Sequence, residues 1–344
     1  MSLIIKPFVD GSGKLRLASF TSVKEVTPYE ISKRSFESMD EVLKILNLIK
    51  NDENNFKYQV GSIKNLVVSP VAKEKLSNGY ILEKKSVKSS YHTKNEDSVA
   101  ILQNNNSDAL LLIVCDGVGG IAGGEVASQF TVLQISKYFS NYDFNNYESK
   151  HIIINDFRAK ISEISSNLIN MGRNNPQTTL TMAIVLKDET LVFNVGDSRC
   201  YLINNSNKIY LVTKDHSVVW NNYIETGKLS VDDLRFAPSN NIILNAVGGL
   251  SSDGIDVSII DNNIIKSLIL CTDGVSDVLS SIEIASVICN NKNNFVDKII
   301  DSVRNKKGYS KTEVSRSVSL FGSVKGNIKD DDASVVVLKK IKNL

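Results

Sequence analysis

The chain has few cysteines, no long apolar run and almost no imbalance of charge, and each shortage removes a class of function. Its four cysteines, Cys115, Cys200, Cys271 and Cys289, form no CxxC pair. Three of them follow or close apolar strand-like runs, so they read as small core residues of a reduced, cytosolic protein. The 40 Lys and Arg are balanced by 38 Asp and Glu, leaving a formal charge of +2. No basic stripe or domain stands out, which argues against a nucleic-acid partner. The N-terminus lacks the basic-then-apolar pattern of a secretory leader, and no apolar run reaches the roughly 20 residues a membrane span requires. The expectation is a soluble, cytoplasmic protein whose 344 residues can bury a large core.

What is present centres on Leu110-Leu-Leu-Ile-Val-Cys-Asp-Gly-Val-Gly-Gly120. Five consecutive aliphatics predict a strand buried on both faces, and the run breaks at an aspartate followed by Gly117, Gly119 and Gly120. Asp116 would offer a hard oxygen donor at a rigid strand end, although an Asp-Gly there is equally readable as a plain turn. Residues 1–77 form an N-terminal extension with short β-like runs (Leu3–Ile5, Leu15–Leu17, Leu66–Val68) around one amphipathic helix, Met39–Ile49, and a boundary near Ser69-Pro70. Residues 78–344 alternate strands that end in acidic turns with helices expected at Gly124–Phe139, Ile152–Met171, Ile282–Cys289 and Phe295–Val303. Short turns in Leu180–Val212 predict antiparallel neighbours. A helix from Asp215-His-Ser217 to Thr226 would be capped by Asp215 or Ser217. The polar piece Lys306–Lys329 reads as a mobile, solvated loop.

Four junctions share one property, an aspartate abutting a strand end: Asp116, Asp197, Asp273 and Asp331. Bringing such carboxylates together costs several kcal/mol unless a cation compensates. Oxygen donors without a Cys/His cluster favour Mg²⁺ or Mn²⁺ over zinc. Two such ions sharing a carboxylate suit hydrolysis of a phosphate ester.

With these motifs the sequence resembles the metal-dependent Ser/Thr protein phosphatases (PPM, or type-2C) in their bacterial form, over about residues 78–338. The ordered set is Asn95-Glu-Asp97, Asp116–Gly120 followed by Gly124–Ser128, Thr178-Thr179, Gly196-Asp-Ser-Arg199, Asp215-His-Ser217, Ala246–Gly249, Thr272-Asp-Gly274 and Asp331–Ser334. The resemblance implies an α+β fold, an antiparallel β-sandwich flanked by helices in four αββα layers. It implies that Asp116 bridges two Mn²⁺ or Mg²⁺ ions, that the Gly117 carbonyl binds one, and that Asp273 and Asp331 hold the other. Glu96 and Asp97 would act through metal-bound waters, and Asp197 with Asp273 would form a weaker third site. The implied reaction is attack of a metal-bridging hydroxide on phosphoserine or phosphothreonine of a protein substrate, with no phosphoenzyme, reversing a Ser/Thr kinase. No cysteine sits in a phosphate-cradling loop with a following arginine, consistent with that chemistry.

The departures from the family pattern are specific. His92 stands where the family places a phosphate-gripping arginine, and it is either a weaker phosphate donor or an exposed turn residue. Val118 replaces the histidine of eukaryotic members, and Asp332 replaces a usual asparagine, adding negative charge. Arg199 is expected to pair with carboxylates, His216 to stabilise a helix start, His151 to be exposed, Trp220 to anchor a core and Thr178-Thr179 to hydrogen-bond near the centre. The alternative reading is a pseudophosphatase or scaffold that binds a partner through the same fold.

Overall fold

The computed structural model describes residues 4–9, 15–20, 29–30, 74–75, 79–118, 123–145, 149–171, 176–250, 254–322, 328 and 330–340. Three short strands, β1 (Ile4–Val9), β2 (Leu15–Phe20) and β3 (Tyr29–Glu30), form an antiparallel sheet. The chain continues through β4 (Glu74–Lys75), β5 (Tyr80–Val87), β6 (Asp97–Gln103) and β7 (Leu110–Asp116) to helices α1 (Gly124–Asn141) and α2 (Lys150–Ile169). Next come β8 (Leu180–Val185), β9 (Glu189–Val195), β10 (Arg199–Asn204) and β11 (Ile209–Leu211), a π turn at Trp220–Ile224 and a 3-10 turn at Val231–Phe236. The last elements are β12 (Asp256–Asp261), β13 (Ile265–Cys271), α3 (Asp273–Ser276), α4 (Ser281–Asn290), α5 (Phe295–Asn305), α6 (Lys311–Phe321) and β14 (Ala333–Lys340).

Two antiparallel sheets result, one in the order β11-β10-β13-β14-β5-β4 and the other β12-β9-β8-β7-β6. The period of two in β7 shows why its sequence is apolar throughout. Leu110, Leu112 and Val114 pack with Leu82, Leu202, Leu268, Leu270 and Val336 of the facing sheet. Leu111, Ile113 and Cys115 pack outward against Ile135, Phe139, Ile153 and Phe157 of α1 and α2. On the other sheet Tyr201, Ile269 and Val335 meet Ile284, Ile288, Phe295 and Ile299 of α4 and α5. The architecture is therefore the expected four-layer αββα sandwich.

Several expectations need amending. Lys306–Lys329 is not a loop throughout, because α6 occupies Lys311–Phe321. Its capping box, Ser310 N–H to Glu313 Oε2 at 2.7 Å with Glu313 N–H returning to Ser310 Oγ, marks a helix start hidden in a polar composition. The helix expected from Asp215 to Thr226 is shorter, running over 218–224 with a π turn at Trp220–Ile224, and Ser217 caps it as expected, its Oγ accepting Trp220 N–H at 3.3 Å. The turn between β9 and β10 joins strands of different sheets rather than neighbours, and Gly196 makes it with φ +96°. Strand β4 precedes the expected boundary at residue 78 yet pairs with β5. Met39–Ile49, Leu66–Val68, Ser69-Pro70, Gly119 and Gly120 lie outside the described residues.

One buried carboxylate fixes the outer layer. Glu83, 1% exposed on β5, accepts the backbone N–H groups of Asn294, Phe295 and Val296 at 2.7, 2.6 and 3.3 Å, at the N-terminus of α5. Helix ends leave such donors unpaired, and a carboxylate there also meets the positive end of the helix dipole. Replacing Glu83 by Ala is expected to lower unfolding free energy by about 2–3 kcal/mol in urea titrations.

Candidate active site

Five strand ends meet at one rim of the sandwich. Asp97 opens β6 and Asp116 closes β7, and the two are register partners. In the other sheet β13 ends just before Thr272-Asp273 and β14 begins just after Asp331-Asp332, while Cys271 of β13 pairs with Val335 of β14 and Arg199 of β10. Asp197 rides on the crossing between sheets. Antiparallel order thus places residues far apart in sequence at the same end of the fold.

The backbone holds these carboxylates rigidly. Asp116 N–H donates to Thr179 Oγ1 at 2.9 Å, and its carbonyl accepts from Thr179 N–H and Thr178 Oγ1, both at 2.8 Å. Thr179 Oγ1 also lies 2.8 Å from Ser198 Oγ, tying the Asp116 strand end to the turn that carries Asp197. Glycine follows both Asp116 and Asp273 for a steric reason. A Cβ at Gly117 would overlap the backbone of Gly124, and one at Gly274 would overlap the Asp332 carbonyl.

Electrostatics define the cluster. Burial, followed by mutual repulsion, pushes the carboxyls of Asp97, Asp116 and Asp197 well above the usual carboxylate range. Asp116 feels the charges of Asp97, Asp273, Asp197 and Asp331, and Asp197 feels Asp273, Asp215 and Asp277. Asp97 Oδ2 accepts from Thr272 Oγ1 at 2.9 Å, whereas its buried Oδ1 has no hydrogen-bond partner. Among the described residues no three His, Cys, Asp or Glu side chains are drawn together into a metal-ligand set. The carboxylates share a neighbourhood without closing on a point. Asp277 was not foreseen, although its spacing of four from Asp273 places both on one side of a helical turn.

His92 is engaged by acids. Its Nδ1 lies 3.1 Å from Asp332 Oδ2 and its Nε2 3.9 Å from Asp331 Oδ1. Burial disfavours the imidazolium, but the neighbouring carboxylates of Asp332, Asp331 and Glu96 outweigh it and raise the His92 pKa. Burial also raises the Glu96 carboxyl, against the pull of His92. Asp332 does more than add charge. It is buried, with Oδ1 accepting Ser89 N–H at 2.7 Å and Oδ2 accepting Glu96 N–H at 2.6 Å. An asparagine has one acceptor oxygen, so it could receive only one of these two donors and would set its own NH₂ against the other.

The remaining expectations divide. Arg199 pairs with a carboxylate as expected, its Nε and Nη2 meeting Asp215 Oδ2 at 3.1 and 2.6 Å. Thr178-Thr179 hydrogen-bonds at the centre, and His151 is exposed. Trp220 packs beside buried Val219 and Leu234. His216 does not serve a helix start: its Nδ1 accepts Gly196 N–H at 3.2 Å and its Nε2 lies 3.1 Å from Asp256 Oδ2. It supports the Asp197 turn, a role that only the folded chain reveals.

Fold and site together define a class, a helix-covered antiparallel sandwich with carboxylates gathered at one rim. Residues 89–315 of the 344 match the family described as Protein phosphatase 2C. The serine/threonine phosphatase stp of Listeria welshimeri is 30% identical over 199 residues, spanning 56% of this chain and 77% of that protein. A bacterial serine phosphatase crystal structure matches with a TM-score of 0.63 at 25% identity, over 76% of this chain and 98% of that one. The catalytic domain of the phosphatase PstP in complex with two manganese ions matches with a TM-score of 0.53 at 21% identity, over 76% of this chain and 97% of that one. The chain belongs to the protein phosphatase 2C family, in its bacterial form. No described helix is long and apolar enough to cross a membrane.

The raised carboxyls have a consequence for stability. The folded chain holds their protons to higher pH than the unfolded chain, whose carboxyls ionise near pH 4. Their contribution is therefore most favourable below about pH 4 and is lost as pH rises. In divalent-free buffer the melting temperature of wild type is expected to fall between about pH 4 and 7 relative to Asp116→Asn, since the variant removes one repelling charge. Parallel pH curves for the two proteins would contradict this.

Proposed function

We propose that the protein is a metal-dependent serine/threonine phosphatase acting on phosphorylated proteins, the targets of a Ser/Thr kinase. The observation that carries the metal dependence is the gathering of carboxylates at one rim, where Asp97 faces Asp116 in register and Asp197, Asp273 and Asp331 stand close enough to repel Asp116. A hard divalent ion, Mn²⁺ or Mg²⁺, fits this donor set: all donors are oxygen, and the unpartnered Asp97 Oδ1 is one more. Asp116, Gly117, Asp273 and Asp331 would hold two ions, with Asp197, Glu96 and Asp97 around them and Asp197 with Asp273 at a weaker third. The chemistry such ions supply is charge neutralisation and activation of water at neutral pH.

The chain's own residues supply orientation. Thr178 and Thr179 fix Asp116, Thr272 fixes Asp97, and Asp332 fixes the turn bearing His92. His92, 37% exposed beside the carboxylates, would donate to a substrate phosphate. A cysteine phosphoenzyme has no support here. Burial pushes the Cys115 thiol well up and the Cys271 thiol to about 12, far from a thiolate nucleophile. Residues 1–77 are proposed as a docking or regulatory region, because they precede the family match that starts at residue 89.

Mn²⁺-dependent hydrolysis of para-nitrophenyl phosphate and of a phosphothreonine peptide is expected, with Asp116→Ala lowering kcat by about 100-fold or more. Equal rates for wild type and Asp116→Ala would favour the scaffold reading. His92→Arg is expected to lower KM for the peptide about three- to tenfold through bidentate contact; an unchanged KM would place His92 outside the phosphate pocket. Deleting residues 1–73, which spares β4 and its pairing with β5, is expected to alter the choice among phosphoprotein substrates while leaving para-nitrophenyl phosphate turnover intact.

A further inference from the structure

Helix α6 buries little of itself. Of its residues only Ser317 is buried, and Phe321 packs edge-on against Tyr223 with ring centroids 5.7 Å apart. An isolated helix of this length is marginal in water, so its order depends on what it contacts. Those contacts are mainly ionic. Arg316 grips Asp233 bidentately, Nε to Oδ1 at 3.0 Å and Nη2 to Oδ2 at 2.7 Å. Glu313 Oε1 meets Arg235 Nη2 at 3.0 Å and Lys306 Nζ at 2.9 Å. Lys306 in turn reaches Glu283 of α4 at 3.0 Å. Both gripped residues, Asp233 and Arg235, belong to the 3-10 turn Val231–Phe236.

That turn lies between α6 and the carboxylates. Leu234, flanked by the two gripped residues, lines a small cavity together with Val219, Asn240, Asp197 and Asp273. Asn240 donates to Asp277, closing the far side of the same wall. Asp232 accepts Ser281 N–H at 2.9 Å and so joins the turn to the start of α4. The wall beside Asp197 and Asp273 is thus held from behind by ion pairs to α6.

We propose that α6 is a brace that determines substrate selection: by holding segment 217–240 in place, it preorganises the wall that a phosphorylated protein must pass. A small aryl phosphate makes no demand on the wall. A phosphopeptide does, and its affinity falls by the fraction of molecules in which the wall is out of place. Of these ion-pair partners Arg316 is the exposed one, whereas Asp233, Arg235, Lys306 and Glu313 are largely enclosed, so Arg316 is the point at which the brace can be loosened. Arg316 is a positioning residue, acting through Asp233. This inference rests on the phosphatase reading.

The test is Arg316→Glu, which sets like charges against Asp233 at an exposed position, with Arg316→Lys as the conservative variant. Hydrogen exchange at residues 231–237 and kinetics on both substrates are read in the same Mn²⁺-loaded preparations. The expected result is faster exchange at 231–237 in Arg316→Glu and a phosphopeptide KM raised about three- to fivefold, the scale of one exposed ion pair. Turnover of para-nitrophenyl phosphate should stay at the wild-type rate, and Arg316→Lys should fall between. Unchanged exchange, or faster exchange with an unchanged peptide KM, would overturn the proposal. Wild type inactive on both substrates would instead overturn the phosphatase reading, and the exchange result would still report whether α6 holds the wall.

Discussion

Carboxylates confined at the rim of two packed sheets set the terms for this protein. Asp97 is buried and Asp116 and Asp197 are half-buried, each is raised by desolvation and its neighbours' charge, and Asp116 and Asp97 are held by Thr178, Thr179 and Thr272. In a flexible loop, side chains of like charge would swing apart into water. Here Asp116 is bracketed by Thr178 and Thr179, and the sandwich core beneath it, Leu110 to Cys115, is fully enclosed. The hydrophobic burial of the two sheets stabilises the fold enough to tolerate repulsion at its edge. A site that repels itself when empty is one that a hard cation stabilises by binding.

The same constraint reaches His92 and Asp332, two positions at which the sequence departs from the resembled family's pattern, and the structure brings them together: Nδ1 of one lies 3.1 Å from Oδ2 of the other. A histidine in place of an arginine offers a shorter reach and a weaker charge, and an acid in place of an asparagine returns some of that charge. Asp332 also anchors both ends of the Ser89–Glu96 turn through two backbone donors. The pair is best understood as one altered unit. The carboxylate that draws His92 also fixes the loop on which it stands.

Much of the fold was legible because burial writes a periodic pattern. The unbroken apolar run into Asp116 signals a strand covered on both faces, and the amphipathic spacing of 152–171 signals a helix. The acidic junctions were visible individually, since Asp-Gly after an apolar run is a local feature. Lys306–Lys329 was misread because α6 is held by ion pairs and a capping box, and charged residues carry no burial period to read. His216 was misread because its partners, Gly196, Asn245 and Asp256, come from three separate segments.

By itself the sequence determined the strands, the main helices and the identity of the acidic residues at strand ends, since each depends on neighbours in the chain. It also carried the ordered motifs by which the family is known. Only the tertiary structure decided that Asp97 faces Asp116, that Asp332 takes hold of His92 and two backbone amides, and that α6 stands behind the wall of the carboxylate cavity. These are contacts between segments tens to hundreds of residues apart. Their energies come from burial and from charge at close range, and neither exists until the sheets have packed.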